Sequence, residues 1–212
     1  MRSVKRLTKV DGLVVSIDDV KSYISKQNTY KDSDISGFID QSAVTFEQYT
    51  GIDLLTATYE ANFSTRLTPG IYRSLGWHEY IDVNGTPSFN LKSNVTEITS
   101  FDIIDSDGVV TAVDEYYLDE ARGRAIVNPD STFYHKTPRA MNGVRIRYTA
   151  GFGDSADDIP SDIKQVVLED VRVNYEGRKT LQKESLERAQ DIRLKRVYRL
   201  ADKYKRYYVP QI

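Results

Sequence analysis

Asp154, Asp157 and Asp158 put three carboxylates into the five residues DSADD, a density that could hold a divalent cation. An EF-hand loop needs a glycine at its sixth position and ligands out to its twelfth, and this stretch has neither. Just upstream, Gly151-Phe152-Gly153 closes a strand-like run and precedes a helix-like one, a setting in which free backbone N–H groups bind phosphate. The lysine and Ser/Thr of a Walker loop are missing, as is the third glycine of a dinucleotide fingerprint, and the neighbouring carboxylates would repel phosphate. Helix capping accounts for the acids, because negative charge is favourable at a helix N-terminus. Asp105, Asp107 and Gly108 form a second acidic stretch, read as a hairpin tip.

Other chemistries find no better footing. The chain has no cysteine, so disulfides, a thiol nucleophile and thiolate metal sites are excluded. His78 and His135 lie in different segments and no serine sits in a G-x-S-x-G elbow. The reading is a protein with no catalytic residue, no metal and no cofactor. Trp77, Tyr80, Tyr116 and Tyr117 could form a stacking platform for carbohydrate, but such aromatics are commonly core or sheet residues.

The C-terminal segment differs in charge from everything before it. Residues 178–212 carry 11 Lys or Arg against 4 Asp or Glu, a local +7 that leaves −9 upstream in a chain of net charge −2. Arg193, Lys195, Arg196, Arg199, Lys203, Lys205 and Arg206 interleave with Tyr198, Tyr204, Tyr207 and Tyr208. That pattern fits a solvated helix face, an arm for an acidic protein partner, or a phosphate-binding segment. Tyrosine and arginine also dominate protein interfaces, so their mixture does not by itself select nucleic acid.

The surrounding elements fall into an α+β order. Ser16 with Asp18 and Asp19 signals a helix start, and Val20, Tyr23 and Ile24 share a face. In KDSDISGFIDQSAVTFEQYTGI, Asp32 or Ser33 caps a second helix, Ile35, Phe38, Ile39, Ser42, Val44, Phe46 and Tyr49 approximate the helical period, and Gly51 stops it. From Leu54 to Tyr148 short runs rich in Thr, Val, Ile and Tyr alternate with turn residues, including Asn84-Gly85, Asp107-Gly108 and Asn142-Gly143 as hairpin candidates. Val144, Ile146 and Tyr148 alternate with Arg145 and Arg147. Beyond Pro160, the residues Ile163, Val166, Val167 and Val171 form one helical stripe ended by Gly177, and a last helix-like run extends to Pro210.

The expected architecture is a helical bundle of N- and C-terminal helices with an inserted antiparallel β-rich subdomain. Its parts are residues 1–53, N-terminal helices of the core; 54–152, the β-rich insertion; 153–185, the core helix; and 186–212, a basic arm. No apolar run is long enough to span a membrane and no apolar segment follows the basic N-terminus, so a soluble protein made inside a cell is expected.

YTAGFGDSADDIPSDIKQVVLEDVRVNYEGR resembles the signature of the head-tail connector (adaptor) proteins of tailed bacteriophages. In that family a Y-x-A-G-[YF]-G strand end and an acidic stretch lead through a proline into a helix. The N-terminal SIDDVKSYISKQNTYKDSDISGFIDQSAVTFEQYTGIDLL resembles the family's opening, with a helix closing on YTG. The chain departs from the pattern at Val166, usually a small residue, and at Val173-Asn174-Tyr175.

The resemblance implies a structural protein of the virion neck, made in the host bacterial cytoplasm and assembled with its neighbours into a ring of about twelve copies below the portal. The ring would extend the DNA channel and link the capsid to the next neck or tail-completion protein. Double-stranded DNA would pass through the lumen without sequence-specific binding, and no membrane is involved. Gly151, Gly153, Asp157, Asp158, Pro160 and Asp162 would form a strand-to-helix joint, and the basic tail a portal-docking arm. The alternative is a DNA-binding accessory protein that uses the same tail.

Overall fold

The structure is a computed structural model that describes residues 2–24, 31–64, 86–92, 94–179, 199, 201, 202 and 204. Its elements run β1 (Arg2–Lys9), α1 (Ile17–Ile24), α2 (Asp32–Thr50), β2 (Ala57–Phe63), β3 (Ser88–Asn90), β4 (Val95–Ile104), β5 (Val110–Ala112), β6 (Tyr116–Asp119), β7 (Arg124–Val127), β8 (Val144–Ala150) and α3 (Ser161–Lys179). Short 3-10 turns occupy Thr132–His135 and Ala156–Asp158. The class is α+β, with antiparallel sheets, and the chain divides into a sheet unit and a helical unit.

The sheet unit takes residues 57–151 together with the N-terminal strand β1. Arg2–Lys9 thus departs from the expectation that residues 1–53 are helical. Five strands lie in the order β1-β2-β8-β4-β5, and a smaller sheet has the order β3-β7-β6. Alternation along β2 buries Ala57, Tyr59, Ala61 and Phe63, and along β8 Val144, Ile146, Tyr148 and Ala150. The register sets Phe63 opposite Val144, Ala61 opposite Ile146 and Tyr59 opposite Tyr148, so both buried rows fall on one face. On the other face Arg147 pairs with Glu60 at 3.0 Å and Arg145 with Asp102 at 2.9 Å.

Aromatic rings fill the core of this unit. Phe89 meets Phe63 at 5.0 Å, Phe101 at 5.5 Å and Phe133 at 5.9 Å between centroids, all edge-on, the arrangement that the ring quadrupole favours. The rings of Tyr59 and Tyr148 stack at 5.5 Å, with the Lys92 ammonium 4.7 Å from the Tyr59 centroid and hydrogen bonded to its hydroxyl.

The turns only partly follow the sequence expectation. Asp107-Gly108 does lie in the β4–β5 turn, with Gly108 at φ 83° and the Asp105 carboxylate accepting from the Asp107 and Val109 N–H groups. Asn142 is at φ 51°, but its dipeptide leads into β8 and does not join two paired strands. Asn84-Gly85 lies outside the described residues. A further hairpin divides YYLDEARGRAIV into β6 and β7.

The helical unit comprises residues 10–56 and 152–208. Ser16 caps α1 through the Asp19 N–H at 3.0 Å. Lys31 occupies the cap position of α2 and makes no side-chain cap, so neither Asp32 nor Ser33 plays the expected part. Gly51 ends α2 at φ 76°, its N–H donating to the Glu47 carbonyl, as a left-handed C-terminal glycine does. Ile35, Phe38, Ile39, Ser42 and Phe46 are buried from α2, whereas Val44 is exposed and Ala43 takes the inward place. From α3 Ile163, Val166, Val167 and Val171 are buried in the same core. The helix runs on past Gly177 to Lys179.

A polar group interrupts this core. Asp170 is 5% exposed, and the Asn174 side-chain amide lies 3.4 Å from its carboxylate and 3.5 Å from the Ser42 hydroxyl. Burial pushes the Asp170 carboxyl above the usual range, and hydrogen bonds from Ser42 and Asn174 oppose the shift without cancelling it. An acid whose folded pKa is raised weakens the fold as pH climbs through the ordinary carboxylate range, because the unfolded chain ionises first. Asp170→Asn is therefore expected to raise the melting temperature at pH 7. The gain should shrink towards zero as pH falls below the ordinary aspartate value, which parallel thermal melts of both proteins would check.

Candidate functional site

The joint between strand and helix is built from its glycines outward. Gly151 ends the β8 strand at φ 138°, a conformation that favours glycine. From Phe152 onward the chain belongs to the helical unit, where the Phe152 N–H donates to the Leu54 carbonyl and the Gly153 carbonyl accepts from the Thr56 N–H at 2.9 Å. Thr56 in turn accepts from the Val10 N–H at 2.8 Å, so three passages of the chain lie side by side within this unit. A Cβ on Gly153 would collide with the Asp158 side chain.

That side chain is committed to a cap. Asp158 accepts from the Ser155 N–H at 3.0 Å and from its hydroxyl at 2.9 Å, while the Ser155 hydroxyl accepts from the Asp157 N–H. These bonds to Ser155 hold the Asp158 carboxyl below the usual range. The sequence reading gave Asp157 and Asp158 to the N-terminus of the core helix; the cap they build belongs to the preceding 3-10 turn. Pro160 precedes Ser161, and its carbonyl accepts from the Lys164 N–H. Asp162 lies in the first turn of α3, where it accepts from its neighbour's N–H at 2.9 Å and from the Tyr204 hydroxyl at 2.5 Å.

The last of these contacts changes the reading of the tail. Ala201 is buried in the helical core, and Tyr204 packs on Phe46 at 6.3 Å between ring centroids. The Tyr49 hydroxyl donates to Asp202 at 2.5 Å. Ala201, Asp202 and Tyr204 are therefore structural members of the helical unit, although they fall in the segment read as an arm. Arg199 is exposed, while Arg193, Lys195, Arg196, Tyr198, Lys203, Lys205, Arg206, Tyr207 and Tyr208 lie outside the described residues. The docking of Ala201 and Tyr204 left no sequence signal beyond one alanine and one tyrosine three residues apart.

The remaining candidates do not converge. Tyr116 packs against Phe101 at 5.5 Å, with burial raising its hydroxyl pKa, whereas Tyr117 is exposed. Trp77, His78 and Tyr80 lie outside the described residues. Among the described residues no group of three His, Asp or Glu side chains could hold a metal ion. No described helix is long and apolar enough to cross a membrane.

No family model matches the chain, and no curated protein matches it. Solved structures do. A chain from the virion of the native gene transfer agent (GTA) particle is 16% identical, with 99% of this chain and 98% of that one covered at a TM-score of 0.63. A chain from the neck of the native GTA particle, computed with C12 symmetry, is 19% identical over 99% and 98% at 0.61. A chain from the neck of the empty GTA particle, computed with C6 symmetry, is 21% identical over 82% and 84% at 0.57. These likenesses establish that the chain shares its fold, over nearly its whole length in two of the three, with components of the GTA particle.

Proposed function

We propose that this chain is a structural head-tail connector of a tailed phage or phage-like particle, located in the virion neck and performing no catalysis. The fold shared end to end with GTA neck and virion chains carries the reading. The two sequence blocks that resemble the connector family support it independently. In this reading α1, α2 and α3 form the bundle and the β-rich part is its insertion, to which the N-terminal β1 adds an edge strand. Copies assemble as a closed head-to-tail ring below the portal and continue the DNA channel towards the next neck protein.

The geometry supports a joint at residues 151–162 in place of a ligand site. Of the three acids that could have served a cation, Asp158 has its side chain committed to capping Ser155, and Asp162 at the start of α3 receives the Tyr204 hydroxyl. The arm reading narrows to the basic residues around Ala201 and Tyr204, with Arg193, Lys195, Arg196, Lys205 and Arg206 meeting an acidic portal surface. Deleting residues 186–212 would remove part of the helical core, so the arm is better tested by substitution. Changing those five bases to glutamine should leave the fold intact and abolish binding to purified portal.

Cosedimentation with DNA-filled, tailless capsids and, separately, with naked DNA at physiological salt tests the function. The expected result is retention by capsids and none by DNA. Retention by DNA alone, weakening steeply with added salt, would favour the accessory DNA-binding alternative.

A further inference from the structure

Among the described residues the five-stranded sheet has two unpaired edges, β1 and β5, of opposite charge. Residues 2–9 contain Arg2, Lys5, Arg6 and Lys9 and no acid, whereas β5 with its flanks, residues 105–114, contains three acids, Asp105, Asp107 and Asp114, and no base. Each edge also exposes apolar side chains: Val4 at 41% and Leu7 at 45% on β1, Val109 at 58% and Val110 at 50% at β5. The eight-residue β1 is an exposed edge strand of the kind that invites pairing with another chain.

We infer that the β1 edge of one copy docks on the β5 edge of the next, so that the sheet continues from subunit to subunit. This rests on the ring reading above and names the surfaces that close the ring. Successive antiparallel pairings make β1 and β5 run in the same direction. A neighbour brought round by the small rotation of a many-membered ring therefore lays its β1 alongside β5 in a parallel sense. Two-fold pairing through like edges would set Lys5 and Arg6 against their own copies, or Asp107 and Asp114 against theirs. Charge thus disfavours isologous dimers and selects the heterologous contact that generates rings. The bulge between Arg6 and Thr8 and the lysines on β1 protect that edge from indiscriminate pairing.

Two charge-reversal variants of the full chain test the contact: Lys5→Glu with Arg6→Glu, and Asp107→Lys with Asp114→Lys, all four residues being exposed. Copies bound per portal-bearing capsid are counted, and circular dichroism checks that each variant is folded. Each variant alone should lose the ring. An equal mixture should regain it, because acidic and basic edges then alternate around the circle. In a second measurement Leu7→Cys and Val110→Cys, placed together in this cysteine-free chain, should yield a ladder of oligomers with a short bismaleimide, whereas either alone should stop at dimers. Folded variants that each form wild-type rings, or a mixture that fails while wild type assembles, would overturn the contact and leave the ring reading standing. Wild-type protein that forms no ring on capsids would overturn both.

Discussion

Ile163→Asp is expected to abolish the folded helical unit. Ile163 is fully buried among apolar side chains of α2, α3 and Ala201. An unpaired carboxylate there costs several kcal/mol, or forces uptake of a proton at a similar penalty. Whole domains are stable by only about 5–15 kcal/mol, so one such group takes most of the margin. Far-UV circular dichroism should show a loss of helix. Ile163→Val, which removes one methyl and costs about 0.5–1.5 kcal/mol, should remain folded. Soluble Ile163→Asp protein with the wild-type spectrum and melting temperature would contradict the core described here.

Phe89→Ala should produce the largest loss in the sheet unit. Phe89 is fully buried and touches Phe63, Phe101 and Phe133 edge-on. It projects from β3, a strand of only three residues paired with β7, and its ring is the largest side chain that strand buries. Truncating a buried phenylalanine typically costs about 3–5 kcal/mol, including the cavity it leaves. A urea titration followed through the sheet should show a midpoint lowered accordingly. An unchanged midpoint would mean that the cluster does not hold this unit together.

The parts of the fold legible in the sequence are those in which one face is buried and the other wet. Val144, Ile146 and Tyr148 alternate with Arg145 and Arg147 because β8 lies inside the sheet with a core on one side. The stripe from Ile163 to Val171 is legible for the same reason at helical spacing. Strand β1 was not legible: RSVKRLTK has no buried face, its residues from Ser3 to Thr8 are exposed, and only its pairing with β2 makes it a strand. The β6–β7 hairpin was missed because Asp119 to Arg124 carries no two-residue turn dipeptide; it depends on Gly123 at φ 60° and the Arg122–Asp119 pair. The end of α3 was misplaced at Gly177, since a single glycine weakens a helix without having to end it.

A strand followed by a helix is legible on either side of residues 151–160, but the bonding between them is not. Glycines flanking a strand end, followed by acids and a proline, point to a turn from strand into helix from residue types alone. That Asp158 caps Ser155 and that Asp162 receives Tyr204 depends on contacts that spacing cannot disclose, the second spanning 42 residues. The tail was readable in charge but not in place, because Ala201 and Tyr204 dock through shape and one hydroxyl rather than through any repeating pattern.

The most direct test of the central claim is to add the purified full-length chain to DNA-filled, tailless capsids and image the portal vertex. The account predicts a closed ring of copies below the portal, surrounding the DNA channel. A vertex that carries no added density, under conditions where the chain is folded and in excess, would contradict it.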